Sequence, residues 1–211
     1  MKKIDYKKDF KQFYLPSAKE PVIIKVPKMN FLMVNGKGGN PSKNKDFSNA
    51  IEAIYSVAYT IKFTLKFAKV GPEYTVPPLE ALWWTSDGSL INVKKPDKWR
   101  WSVIMTQPAH VTQKHVRDAI KLIMERAAKK KKTTSPVLKV IKLGPFTEGE
   151  CVQIMHIGPY SAEDANIKKM HDFAFNQGYK LTGKHHEIYI SDPRRVAPSK
   201  IKTVLRQPVK K

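Results

Sequence analysis

A run of five residues near the C-terminus, His-His-Glu-Ile-Tyr at 185–189, carries the side chains best suited to chemistry. Its alternation predicts a β-strand, in which successive side chains point to opposite faces. Glu187 and Tyr189 then share one face, while Ile188 and Ile190 share the other, which we expect to bury against a helix. A carboxylate beside an aromatic ring can attract a cation or act as a general base for water. The alternative is an ordinary glutamate on the solvated surface of a sheet.

Other catalytic and metal-binding chemistries have weaker support. His156, His185 and His186 suggest metal ligands, but His185 and His186 alternate faces, so only one of them could share a site with Glu187. We therefore expect neither a metal nor another cofactor. Cys151 is the single cysteine, which excludes an internal disulfide and any multi-cysteine metal site. The sequence has no Gly-x-Ser-x-Gly elbow, which argues against a serine hydrolase.

The charge balance permits binding to an anionic partner. The 211 residues include 39 Lys and Arg against 18 Asp and Glu, a formal net charge of +21. Lysines at the termini and at Lys129–Lys132 could neutralise phosphates, and Trp99 and Trp101 could stack on bases. Arginine is scarce, however, and the lysines occur in every segment. A generally solvated basic surface is favoured, and a nonspecific nucleic-acid binder is the alternative.

The N-terminal residues contain lysines but no apolar run, so they do not resemble a secretory signal. No stretch approaches the roughly 20 apolar residues of a membrane-spanning helix. A cytoplasmic location without a membrane span is therefore expected.

Apolar periodicity and turn residues predict the elements that position the 185–189 strand. The first half is expected to contain strands at 22–26, 30–35, 78–88 and 99–108, with a long amphipathic helix at about 46–67. A helix at about 114–130 follows, with Thr112 as its N-cap. The second half is expected to contain strands at 137–143, 150–160 and 201–208 and a helix at about 162–176. Gly36–Gly39 lacks the Lys-Ser/Thr ending of a phosphate loop and is interpreted as a turn.

The two halves repeat the same order of elements and some of the same residues. Trp84-Thr85-Ser86-Asp87-Gly88 aligns with residues 189–193, and Ile104-Met105-Thr106-Gln107-Pro108 aligns with residues 204–208. We interpret this as an internal duplication of a strand-helix-strand-strand module. The predicted organisation is an arm at 1–20 and one domain at 21–211. The domain consists of modules at about 21–110 and 137–211, joined by a helix and a lysine-rich linker at 111–136.

Duplication predicts where a ligand would bind. If a pseudo-twofold axis relates the modules, Trp84 is the counterpart of Tyr189 and Leu82 is the counterpart of Glu187. A groove is then expected with Trp84 and Leu82 on one wall, Tyr189 and Glu187 on the other, and Glu187 as its only strong negative charge.

The chain resembles the GyrI-like small-molecule-binding family, which includes effector domains of multidrug-responsive transcription regulators. The matching segments are 50–62, 78–84, 99–108, 150–160 and 185–208. The resemblance implies an α+β fold in which two modules form an antiparallel sheet with helices on one side and a central ligand cleft. It also implies binding of lipophilic, planar aromatic or cationic compounds, with Glu187 at the floor of the pocket.

The predicted ligand-binding residues are Glu187, Tyr189, Trp84, Leu82, Trp101, Tyr55, Tyr160 and His156. The first 20 residues are too few for a helix-turn-helix, so a stand-alone protein for drug sequestration or resistance is favoured over a regulator. Some relatives are similar to hydrolases that open the cyclopropane of DNA-alkylating antibiotics. In that alternative Glu187 directs water, and Tyr55 or Tyr160 positions the substrate oxygen.

Overall fold

The computed structural model describes residues 2–39, 41, 43–88 and 98–211 and divides them into two compact units. The first unit comprises the described residues of Met1–Asp5, Met29–Pro77 and Trp84–Phe146, and the second comprises Tyr6–Lys28, Pro78–Trp83 and Thr147–Lys211. Each unit is therefore assembled from segments that are distant in the sequence.

The described residues form five α-helices and seven β-strands. The helices are α1 (Tyr6–Asp9), α2 (Lys11–Tyr14), α3 (Lys45–Phe67), α4 (Gln113–Lys129) and α5 (Asp164–Asn176). The strands are β1 (Val22–Lys37), β2 (Leu79–Thr85), β3 (Trp99–Gln107), β4 (Lys142–Ile157), β5 (Lys180–Leu181), β6 (His185–Tyr189) and β7 (Lys202–Lys210). The order β1-α3-β2-β3 recurs as β4-α5-β6-β7, with the short β5 inserted. The predicted α+β class and the duplicated strand-helix-strand-strand order are confirmed.

The first unit is built around α3. The Asn44 side chain caps this helix by accepting hydrogen bonds from the backbone N–H groups of Asp46 and Phe47. The buried positions of α3 recur at helical spacing, and the helix packs against α4 and β3. Strand β3 pairs with β1 in antiparallel register from Asn30↔Gln107 to Lys37↔Arg100.

The second unit is an antiparallel sheet centred on β7, which pairs with β4, β5 and β6. Strand β6 also pairs with β2, so that β6 has a neighbouring strand on each side. Glu187 lies opposite Ala81 on β2 and opposite Leu205 on β7, and directly paired residues point to the same face. His186 and Ile188 therefore point to the other face.

Helix α5 packs on the face of the sheet that carries Glu187. Leu205, the register partner of Glu187, belongs to a buried apolar cluster with Val152, Ile154, Met170 and Ala174, the last two from α5. The sequence predicted a helix against the Ile188 face, and the structure places a helix on the Glu187 face as well. Alternation within the strand separates the two faces, but it does not show which face a distant helix covers.

Two predicted strands also differ from the structure. The predicted strands at 22–26 and 30–35 form the single strand β1, and its ladder with β3 begins only at Asn30, so the missing N–H of Pro27 interrupts none of those bonds. The predicted strand at 137–143 is a 3-10 helix at Pro136–Val140. Proline at the first helical position and the Ser135 hydroxyl, which accepts from the Val137 N–H, both favour a helical start.

None of the described helices is both long enough and apolar enough to cross a membrane.

Replacement of Met170 by Ala should destabilise the protein by about 2–5 kcal/mol, because its fully buried side chain fills the core under α5. The matched control is Phe175→Ala on the same helix, where the ring is 53% exposed and its removal leaves no internal cavity. Urea unfolding followed by circular dichroism measures both changes. Equal effects of the two substitutions would contradict this description of the core.

Candidate functional site

Glu187 and Tyr189 lie together in the middle of the second unit. The two side chains alternate with buried Ile188 and therefore share a face of β6. The Tyr189 hydroxyl donates a hydrogen bond of 2.7 Å to Oε2 of Glu187. The Glu187 side chain keeps 18% of its surface exposed, so a ligand can reach a carboxylate that is otherwise enclosed.

A second carboxyl group, that of Glu163, lies close enough to Glu187 to interact with it electrostatically. Glu163 comes directly before α5, after a short 3-10 turn at Tyr160–Ala162. Its backbone N–H donates to the Tyr160 carbonyl at 3.2 Å, and its carbonyl accepts from the Ile167 N–H at 2.9 Å. The residue is only 5% exposed. Glu187 therefore has a second, buried carboxyl group as a neighbour, which the sequence analysis did not identify.

Two further residues from the same turn and the neighbouring strand complete the group. The ring of Tyr160 is 40% exposed and meets the Tyr189 ring at 84°, with centroids 5.8 Å apart. Thr203 on β7 lies opposite Tyr189 in the register, and its hydroxyl lies close to Glu163. We call Glu163, Glu187, Tyr160, Tyr189 and Thr203 the carboxyl site.

Burial raises the pKa values of both carboxyl groups, and the charge of Glu187 raises that of Glu163 further. Burial is the main cause for Glu187, and hydrogen bonds from Tyr189 and Trp83 partly offset it. For Glu163, burial first and the charge of Glu187 second raise the pKa to about 9. With its pKa raised to about 9, Glu163 holds a proton at neutral pH. Any negative charge that the pair carries at that pH therefore lies on Glu187.

The positive charge of His186 on the opposite face of β6 lowers the pKa of Glu187, but His186 is itself paired with Glu80 and Glu148. His185 shares the Glu187 face, and its Nε2 lies 3.9 Å from Oε1 of Glu187. Burial lowers the pKa of His185 to about 4, so the ring is neutral. His156 is also positioned without a charge partner, because its Nε2 donates to the Pro159 carbonyl at 3.1 Å and its Nδ1 accepts from Asn166 at 3.0 Å. These bonds tie β4 to the start of α5.

The opposite face of β6 carries a buried network of ion pairs. Nε2 of His186 lies 3.0 Å from Oε2 of Glu80, and its Nδ1 lies 2.8 Å from Oε1 of Glu148. Nη1 of Arg206 lies 2.9 Å from Oε2 of Glu148. Besides the buried Ile188, this face carries His186, whose two ring nitrogens lie beside carboxyl groups from β2 and β4.

This network also holds the N-terminal segment against the sheet. Arg206 donates from Nη2 to the Phe13 carbonyl at 2.6 Å, and Gln153 donates to the Gln12 carbonyl at 2.6 Å. The Tyr14 hydroxyl donates to Oε1 of Glu80 at 3.3 Å. Helices α1 and α2 therefore cover the face that carries His186.

The structure distributes the predicted site residues unequally. Glu187, Tyr189, Tyr160 and His156 lie on the same face of the sheet, since His156 is paired with Thr203 in the register. Leu82 is paired with His186, so its side chain points to the face opposite Glu187. The expectation that Leu82 lies beside the Glu187 groove is not supported by this register.

The other three predicted residues belong to the first unit. Trp101 is buried and meets Phe47 edge-on, with ring centroids 5.2 Å apart. Tyr55 stacks on Tyr59 at 6.3 Å, and the Trp84 side chain is half-buried. Roles in ligand binding for Trp84, Trp101 and Tyr55 stay predictions.

Sequence reasoning missed Glu163 and the carboxylates of the network. Glu163 precedes a helix, where an acidic residue normally caps the first turn, and so gives no sign of burial. Glu80, Glu148 and Arg206 are joined to His186 only by strand pairing. The sole sequence signal for Glu80 was its alignment with His185 in the duplicated modules.

Replacement of Glu148 by Gln should destabilise the fold by about 3–5 kcal/mol at pH 6, because His186 and Arg206 would lose a buried counter-charge. Despite burial, these two cations lower the pKa of Glu148 to about 2, below its ordinary 4.5, so its stabilisation is present above pH 4.5 and lost as pH falls towards 2. For His186, Glu148 and Glu80 outweigh burial and raise the pKa from 6.5 to about 9. That contribution is complete below pH 6.5 and lost as pH rises through 9.

Urea unfolding of wild type and Glu148→Gln between pH 3 and pH 10 measures this difference. It should be largest between about pH 5 and pH 6.5 and shrink towards both extremes. Glu150→Gln, two residues along β4 and exposed, is the control. A difference that does not vary with pH would contradict the assignment of the charges.

Comparisons with known proteins agree with the fold described above. The GyrI-like small molecule binding domain family matches residues 19–210. An uncharacterized conserved protein from Listeria innocua is 41% identical, with a TM-score of 0.87 over 99% of this chain and 100% of that one. A protein described as a hydrolase from Listeria innocua is 42% identical, with a TM-score of 0.83 and the same coverage.

More distant similarity concerns the fold alone. The C-terminal domain of EcmrR is 14% identical, with a TM-score of 0.54 over 91% of this chain and 98% of that one. No curated protein matches the chain. Because the family match spans nearly the whole chain, and because its sheet, helices and repeated element order agree with that match, the protein belongs to the family of GyrI-like small-molecule-binding domains.

Proposed function

We propose that the protein binds lipophilic compounds, planar aromatic or cationic, at the carboxyl site and thereby sequesters drugs or toxins. The observation that supports this most directly is the partly exposed Glu187 carboxylate, which is hydrogen-bonded to Tyr189 and lies 3.9 Å from the neutral ring of His185. An anion in such a position is available to a ligand. The family's small-molecule-binding character agrees with this use.

The surroundings of Glu187 suit an aromatic ligand. The exposed ring of Tyr160 and the ring of Tyr189 stand nearly perpendicular, so a flat ligand can contact one ring face while its charge lies near Glu187. Each cation-π contact is worth about 0.5–2 kcal/mol. Partial burial weakens the competition from water and strengthens the attraction between the carboxylate and a cation.

Replacement of Glu187 by Gln should weaken binding of the planar cationic dye rhodamine 6G by about 10- to 100-fold, because a charge-assisted contact is lost while the shape is kept. Fluorescence anisotropy measures the dissociation constant. Wild-type affinity should also fall as pH is lowered through the raised pKa of Glu187, since protonation removes the negative charge. The variant should lack this pH dependence.

The exposed Glu150→Gln substitution, which changes net charge by the same amount, should leave dye affinity unchanged. Equal affinities of wild type and Glu187→Gln would exclude Glu187 as the binding carboxylate.

A hydrolase is the second candidate, and a specific observation favours it. The carboxyl site pairs an ionised glutamate with a neutral one, which is the combination needed for a base and an acid. Two Listeria innocua proteins described as hydrolases are 41% and 42% identical to this chain. The reaction we propose is opening of the cyclopropane in a DNA-alkylating antibiotic.

The proposed reaction adds one water molecule to the substrate. Glu187 accepts a proton from water as the water oxygen bonds to a carbon of the strained ring. One carbon–carbon bond of the ring breaks, and its electron pair moves to an electron-accepting group of the substrate, which takes up a proton. The raised pKa of Glu187 brings it closer to the range suited to a general base at neutral pH.

Wild-type protein should convert a cyclopropane-containing alkylator to a product heavier by one water, as measured by mass spectrometry. Glu187→Gln should lower the rate by about 10²–10⁴-fold, the usual contribution of a general base. Glu150→Gln should retain the wild-type rate. Binding of the alkylator without any conversion by wild type would contradict hydrolysis and leave sequestration as the function.

A further inference from the structure

We infer that Glu163 is a second ligand-contacting group of the carboxyl site, a neutral acid that donates its proton to an acceptor oxygen of the ligand while Glu187 provides the negative charge. This inference rests on the proposed function and narrows its ligand class. The preferred ligands are planar lipophilic compounds that carry a carbonyl or similar acceptor oxygen.

The position of Glu163 is fixed by its backbone and not by its side chain. Hydrogen bonds to Tyr160 on one side and Ile167 on the other hold the main chain at the start of α5. The side chain makes no capping bond to the helix, so it lacks the ordinary role of an acidic residue at this position. Helix capping therefore does not explain why a carboxyl group occupies this position.

The side chain of Glu163 has an unused hydrogen-bonding atom in an enclosed place. Within the part of the chain that the structure describes, its Oε1 is shielded from solvent and has no hydrogen-bond partner of good geometry, although the Thr203 hydroxyl, itself unpaired, lies near the carboxyl group. An unpaired buried polar atom normally costs a protein about 1–3 kcal/mol. A group left in this state beside a partly exposed Glu187 is suited to bind something that enters the site.

The charges around Glu163 favour its neutral form. Glu187 and Asp164 both raise its pKa, and only the nearby Thr203 hydroxyl lowers it. Tyr189 is neutral at pH 7, because burial and the charge of Glu187 raise its pKa, and burial keeps the His185 ring neutral, so neither supplies a positive charge. Two carboxylates this close cannot both ionise cheaply, so one proton stays on the pair.

A neutral carboxylic acid donates a hydrogen bond, whereas a carboxylate only accepts one. The carboxyl site therefore offers an acceptor at Glu187 and a donor at Glu163. A ligand with an acceptor oxygen satisfies the donor, but a dication would require both groups to ionise. This difference selects carbonyl-bearing ligands over doubly charged ones.

The same arrangement completes the proton balance of the proposed hydrolysis. As the ring bond breaks, Glu163 gives its proton to the acceptor oxygen that receives the electron pair, and Glu187 takes a proton from water. The pair ends with its proton on Glu187 instead of Glu163, so its total charge is unchanged. Transfer of that proton back to Glu163 restores the starting state.

A titration without ligand tests the state of Glu163. In protein labelled with carbon-13 at the glutamate side-chain carboxyl, one resonance should titrate well above pH 7. That resonance should disappear in Glu163→Gln and move to lower pH in Glu187→Gln, where the neighbouring charge is removed. The inference is overturned if every wild-type glutamate titrates below pH 6, or if the high-pH resonance persists in Glu163→Gln.

Ligand binding tests the donor role with two matched neutral probes, 9-fluorenone and fluorene, which differ by the carbonyl. Wild type should bind fluorenone about fivefold to tenfold more tightly than fluorene below pH 8, the contribution of one neutral hydrogen bond. The preference should disappear as pH rises above about 9 and Glu163 ionises. Glu163→Gln, which keeps a donor, should retain the preference at all pH values, and Glu163→Leu should lack it.

Absence of any difference between the two probes in wild type, or an undiminished preference in Glu163→Leu, overturns the inference. The dye experiment with Glu187→Gln separates this failure from failure of the proposed function. Loss of dye binding in Glu187→Gln together with equal binding of the two neutral probes would preserve the site and remove only the donor role of Glu163.

Discussion

Strand β6 carries ionisable side chains on both of its faces, and the pairing of His186 with Glu80 and Glu148 fixes which face each one occupies. A shift of one residue in the register would move every side chain of a strand to the opposite face. Such a shift would bury Glu187 among the carboxylates of the network and leave His186 without them. The position of Glu187 and Tyr189 on the ligand-accessible face therefore depends on the ion pairs that His186 forms on the opposite face of β6.

The two faces solve the problem of buried charge in different ways. On the face that carries His186, the side chains of Glu80 and Glu148 are matched by His186 and Arg206. On the other face, Glu163 and Glu187 lie beside each other, and Glu163 remains protonated at neutral pH. The first arrangement fixes the conformation, because removing any partner leaves a buried charge without its counter-charge. The second arrangement gives two carboxyl groups raised pKa values, and such shifted pKa values are characteristic of functional sites.

Local pattern was sufficient for part of this description and insufficient for the rest. The alternation of residues 185–189 correctly placed Glu187 and Tyr189 on one face, and apolar spacing correctly located α3, α4 and α5. These features depend on residues within one or two turns of each other. Glu163 was not predicted, because its burial depends on β7 and β6, which follow it in the chain.

Longer separations were harder still. His186 and Glu148 are 38 residues apart, and Arg206 is 193 residues from its partner Phe13. Nothing in the local composition of either segment indicates such a pair. The 3-10 helix at 136–140 was missed although its signals, Ser135 and Pro136, are local. The apolar residues that follow them also fit a strand.

The formal net charge of +21 bears on which ligands can use the carboxyl site. A cation approaching this surface is repelled by the lysines, although salt screens that repulsion beyond about 8 Å at physiological ionic strength. Affinity must therefore come from contacts inside the screening length, namely Glu187, the two tyrosine rings and the acid of Glu163. A neutral planar compound with an acceptor oxygen makes the ring and Glu163 contacts without experiencing the repulsion. The long-range field and the protonated carboxyl thus favour the same class of ligand, whereas Glu187 alone would favour a cation.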